Sequence, residues 1–142
     1  MLIKPDFMSY KIEQIEGIGA AYAEKLMAAG IATTEQLLEK CAKKAGRDKL
    51  AEETGISDKL ILKWTNHADL FRIKGVAGQF AELLEAAGVD TVKEFRHRVA
   101  ENLFAKMTEV NEEKHLCKRV PAVKELEKMI AQAKEMEPVV TY

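Results

Sequence analysis

Two short stretches of this 142-residue chain carry residue types and spacings that could do chemistry, Gly17-Ile18-Gly19 and Gly75-Val76-Ala77-Gly78. Each stands directly before a helical pattern. Residues without a Cβ allow a tight turn, and their bare N–H groups, backed by the positive end of the following helix, form a nest for a phosphate oxygen. The candidate contact set is therefore the backbone of Gly17, Gly19, Gly75, Ala77 and Gly78, with Lys25 and Lys74 as the nearest basic side chains. Two lysines among 22 basic residues are read equally well as solvated surface. A set this small predicts weak, strongly salt-dependent affinity for a polyanion.

Other chemistry finds less support. No Ser-His-Asp or Cys-His grouping, no phosphate loop with its lysine and no carboxylate pair in an apolar setting can be read here. His67, His97 and His115 are scattered and lack an acidic or cysteine partner at ligand spacing, which argues against zinc. Trp64 and Phe71 could stack on bases, but Trp64 is in phase with Leu60 and Ile61 and reads as core. Arg96-His97-Arg98, the run from Lys114 to Arg119 and the run from Lys40 to Lys44 could face a polyanion; for the first two, a solvated helix face is the better reading. Leu50 to Trp64 could be a helix-turn-helix, yet its second helix offers only Lys59 and Lys63 beside Asp58 and reads as half of a structural pair.

The elements that must position the glycines repeat. The stretch from Ile15 to Thr33 returns from Ile73 to Thr91, an offset of 58 residues (73 − 15), with Ile18/Val76, Tyr22/Phe80 and Ile31/Val89 as conservative pairs. In each copy apolar residues at helical spacing run to a glycine, Gly30 or Gly88, suited to the left-handed position after a helix. Thr33 or Thr34, and Asp90 or Thr91, then cap a second helix. Further on, Arg47 to Thr54 is a short helix closed by Gly55, and Ser57 caps a run to about Leu70. Asn111 is expected to act as Ser57 does and to open a helix through Cys117; Pro121 permits a last helix from about Ala122 to Glu135, before an extended Pro138 to Tyr142.

Ile15-x-Gly17-Ile18-Gly19-x-x-x-Ala23-x-x-Leu26 resembles the helix-hairpin-helix motif. DNA-binding members of that superfamily often carry Lys or Arg after the second glycine, where this chain has Ala20-Ala21 and Gln79, and the second loop departs further at Ala77. Ile15 to Leu70 also resembles the N-terminal helical domain of strand-exchange recombinases. Nearly the whole chain, including Gly55-Ile56-Ser57, Trp64, Ala68-Asp69-Leu70 and Thr108-Glu109-Val110-Asn111, resembles the domain of unknown function 4332 family of tandem helix-hairpin-helix proteins. That resemblance implies a fold and a nucleic-acid role without an established activity.

Composition sets the limits. A formal charge of -1 leaves no bulk basic excess, so any nucleic-acid site must be local. Cys41 and Cys117 fit neither a disulfide framework nor a metal knuckle, which suggests a cytoplasmic protein with two buried thiols. The amino end has no apolar stretch of signal-peptide length, and no run approaches a membrane span. The expected fold is all-α, with two tandem helix-hairpin-helix units (SAM/recombinase N-terminal-like) at 11–70 and 71–137 packed with pseudo-twofold symmetry, and short tails at 1–10 and 138–142. The expected function is non-catalytic binding of DNA or RNA backbone without sequence specificity, with no cofactor, metal or small-molecule substrate. The rival is a protein–protein interaction adaptor in which the hairpins only pack the core.

Overall fold

Apolar residues at three- and four-residue spacing become eight α-helices in the computed structural model, which describes residues 9–76 and 78–142. A 3-10 turn at Ile12–Gln14 leads into α1 (Ala20–Ala28), α2 (Thr34–Cys41), α3 (Lys44–Thr54) and α4 (Asp58–Leu70). The second half holds α5 (Gln79–Ala86), α6 (Val92–Phe95), α7 (Ala100–Lys114) and α8 (Val123–Glu135). The described residues contain no strand, only an isolated bridge between Lys11 and Thr33, and the all-α expectation holds. Residues 1–8, on which the reading of the amino end rested, and Ala77, an expected contact residue, lie outside the described residues.

The sequence repeat reappears in backbone geometry. Gly17 and Gly75 have φ of 94° and 92°, and Gly30 and Gly88 have 89° and 98°, values open to glycine and strained for other residues. After α1 and α5 the same closing bond forms, from the Ile31 amide to the Leu26 carbonyl (2.9 Å) and from the Val89 amide to the Leu84 carbonyl (2.8 Å). Thr33 caps α2 in a reciprocal box with Gln36, and Thr91 accepts from the Glu94 amide (3.3 Å) at the start of α6. Ser57 caps α4, and Gly55 ends α3 in the left-handed region, as their residue types suggest.

The register lapses after α6. Asn111 does not open a helix but lies in the last turn of α7, which continues to Lys114 and ends where His115 turns left-handed at φ 52°. The Asn111 amide group instead clamps the loop that follows, accepting from the Cys117 N–H and donating to its carbonyl, both at 2.9 Å. Cys117 there is half-buried, against the expectation of a buried thiol, whereas Cys41 is fully buried.

One hydrophobic cluster draws residues from both halves. The run from Trp64 to Ile73 is buried throughout, so the end of α4 and the turn after it serve both. Trp64 and Phe71 are core residues, each meeting a tyrosine edge-on, Tyr22 at 5.0 Å and Tyr10 at 5.3 Å between ring centroids. The α3–α4 pair packs together as a structural unit, and α2 lies against both of its helices.

The extended segment after α8 is held rather than loose. Val139 and Val140 are buried, the Thr141 amide donates to the Ala42 carbonyl (2.8 Å), and the buried Arg47 donates to the Thr141 carbonyl (2.6 Å). The same guanidinium takes the Cys41 and Ala42 carbonyls at the end of α2, at 2.9 and 3.0 Å. Among the described residues no helix is long and apolar enough to cross a membrane.

Candidate functional site

The first glycine turn is open. Gly17 needs its positive φ, but Gly19 does not: its φ of -88° suits any residue, and a Cβ placed there would meet nothing within 4 Å. Gly19 is also the N-cap of α1 and supplies no side chain to it. The N–H groups of Ala20 and Ala21, which precede the first intrahelical bond, have no acceptor among the described residues and lie at exposed positions. Lys25 is exposed one turn further along α1 and forms no ion pair among the described residues.

The second turn shares the positive-φ first glycine but not the backbone at the helix cap, and it is furnished differently. The Lys74 amide is taken by the Gln132 side chain of α8 (2.9 Å), and the Met129 methyl stands 3.2 Å from where a Gly75 Cβ would be. Gly78 caps α5 with φ 50°. A groove of about 580 Å³ runs from Gly75 past Phe80 to Lys118, Arg119 and Glu125. Arg119 is spent across that groove on Glu125, with two bonds of 3.2 Å. A smaller groove of about 270 Å³ brings Gly17 of the first turn to Gln79 of the second, beside Lys63, Glu82 and His115.

Most of the other basic candidates have internal work. Lys40 donates to the Ala29 carbonyl (2.8 Å) and Arg98, 58 positions later, to the Gly88 carbonyl (2.7 Å), so each closes the carbonyl end of the helix after its glycine turn. Arg96 reaches the Lys134 carbonyl (3.2 Å), Lys44 pairs with Asp48 (2.8 Å), and Cys41 is buried. Lys25 and Lys74 keep exposed side chains outside any ion pair among the described residues, and so do Lys43, Lys114 and Lys118 of the other basic runs.

His67 corrects the reading of isolated histidines. It is fully buried on α4, and its Nε2 lies 3.2 Å from Glu85 Oε2 on α5. That contact falls off the line of a ring N–H, and neither ring nitrogen has a hydrogen bond among the described residues. Lys63 stands 3.6 Å from both Glu82 and Glu85. Burial alone would raise the Glu85 carboxyl, but His67 and the Lys63 ammonium outweigh it and hold it below the usual glutamate value. The i,i+3 spacing of Glu82 and Glu85 could have signalled one acidic helix face, but nothing in the sequence places His67 opposite it.

Asp69 is the other residue the sequence left silent. Buried at the end of α4, it binds Arg72 (2.7 Å) and accepts the Val92 amide (2.8 Å) at the start of α6, while Arg72 continues to the Glu137 carbonyl (3.0 Å). Burial pushes its carboxyl up, with the Arg72 guanidinium and the Val92 amide pulling the other way. The equivalent amide in the first half, Thr34, is taken by the Tyr10 backbone carbonyl (2.8 Å).

No curated protein and no solved structure matches the chain. A family model, Domain of unknown function (DUF4332), matches residues 16–136, from just before the first glycine turn to just past the end of α8, and the chain belongs to that family.

Proposed function

We propose that the chain is a non-catalytic module that binds nucleic-acid backbone weakly and without sequence specificity, built from two tandem helix-hairpin-helix units with pseudo-twofold symmetry. The recurrence of positive-φ glycines, threonine caps and basic closing side chains at the 58-residue offset supports two related units. Gly19 carries the functional reading. The fold has room for a side chain there and no conformational need for glycine, so bare backbone at the amino end of α1 answers to something that approaches from outside. A phosphate oxygen fits that place: it accepts from the Ala20 and Ala21 amides, meets the positive helix end and lies within the reach of Lys25. The second turn, with one amide already committed to Gln132, is the lesser contact.

The test is a fluorescence anisotropy titration with duplex, junction and single-stranded DNA and with RNA at about 50 mM salt. Gly19→Asp supplies an internal carboxylate to the α1 amides, so it should leave thermal stability equal or higher and abolish binding. Lys25→Gln should flatten the dependence of log affinity on log salt by about one unit. Absence of binding to every form removes the reading in favour of the adaptor; unchanged affinity in Gly19→Asp shows that the first turn is not the contact.

A further inference from the structure

We propose that His67, Glu82 and Glu85 form a binding site for a first-row divalent transition-metal ion of the Zn²⁺ class, on residues separate from the phosphate contact. One imidazole nitrogen and one oxygen from each carboxylate lie within 4.8 Å of one another. Ligands of a tetrahedral Zn²⁺ stand about 3–3.5 Å apart, as bond lengths near 2.0–2.2 Å require. The Nε2–Oε2 separation of 3.2 Å already has that length, and the second carboxylate, within 4.8 Å, must close by up to about 1.5 Å.

Two features set the cluster apart from an ordinary acidic helix face. His67 is fully buried with both ring nitrogens unpartnered among the described residues, and its ring is directed at Glu85. A metal ion satisfies the facing nitrogen where a carboxylate oxygen at this angle does not. The carboxylates also already converge on a cation, the Lys63 ammonium, 3.6 Å from each. Its single charge balances one carboxylate and leaves the other, whereas a divalent ion balances both. Lys63 is part-exposed on a flexible four-carbon stem and can swing into solvent.

The groove of about 270 Å³ is bordered by Lys63 and Glu82, so an ion approaches the cluster from the Glu82 side. Three protein ligands with one open position form a familiar zinc arrangement. The imidazole selects for this class against Mg²⁺ and Ca²⁺, which prefer oxygen donors throughout.

The experiment uses the full chain, stripped of metal, titrated with Co²⁺ and followed by its visible d–d band, then with Zn²⁺ in competition and by calorimetry. One ion per chain is expected. Glu85→Gln and Glu82→Gln, both at part-exposed positions that need not disturb folding, should each weaken uptake about tenfold or more. Lys63→Met removes the competing ammonium and should tighten it. Circular dichroism of each variant verifies the fold. No uptake by the wild-type chain overturns the proposal. So does uptake that either carboxylate substitution leaves undiminished, because the ion is then held elsewhere, or uptake that Lys63→Met weakens.

Discussion

Cys41 lies at the end of α2 in contact with Thr65, where burial pushes its thiol up to about 11, with the Thr65 hydrogen bond and the charges of Arg47 and Lys40 opposing. Cys117 sits half-buried in the loop after α7, its thiol raised by burial alone. A thiol reagent at pH 8 should therefore modify one cysteine in the native protein, Cys117, and reach Cys41 only on unfolding; mass mapping of the labelled peptide decides this. The Cys41 shift also has a sign. The unfolded thiol ionises near its ordinary 9.0 and the folded one near 11, so unfolding releases a proton between those values and stability falls as pH rises through that window. Cys41→Ala should lose this part of the slope in urea titrations. The sequence allowed both cysteines to be placed inside because thiols are commonly buried; the charged neighbours Lys114, Lys118 and Arg119 kept Cys117 near the surface. The glycines divide in the same way. Residue type marks Gly17 and Gly19 as a pair, but only the backbone geometry of the fold separates the one that needs its φ from the one that does not.

Helices were the most legible level, because their signals are local. Thr33, Thr91, Ser57, Gly30, Gly55 and Gly88 all cap or close as their types and positions imply. Asn111 was misjudged for the opposite reason. A cap and a loop clamp require the same side chain, and the good helix formers after it, Glu112, Glu113 and Lys114, carry α7 through. Arg72 is a local partner of Asp69, three positions on, but the links that matter are remote and illegible: Val92 lies 23 positions away and Arg72 reaches Glu137 across 65. It links α4, α6 and the end of α8 through one buried carboxylate. Asp69→Ala leaves the Arg72 guanidinium buried without its counter-charge and α6 without its first acceptor, and should cost about 3–5 kcal/mol in denaturant unfolding. A milder loss in that measurement means Arg72 escapes to solvent.

The whole molecule is held by one core that runs through the turn after α4 and by a strap that returns from α8 to the first half. The candidate metal-ligating cluster likewise spans the halves, His67 from α4 and its carboxylates from α5, which is why spacing along the chain concealed it. Removal of residues 139–142 exposes the seats of Val139 and Val140 and strips Arg47 of a carbonyl. The expected penalty is about 3–6 kcal/mol, a fall in melting temperature on the order of 10 °C by calorimetry. An unchanged melting temperature in the truncated chain means that the strap is not bound in solution.

The strap also orders events during synthesis. Arg47 and Thr141 are 94 residues apart, so at ribosomal speeds of ~5–20 residues per second the guanidinium emerges roughly 5–20 s before its last acceptor. Through that interval α2 and α3 are assembled around a cation that only two carbonyls of its own hairpin receive. The first half to be made is thus the last to be completed, and nascent chains stalled ahead of Thr141 should be cut by protease near α2 and α3 more readily than released ones.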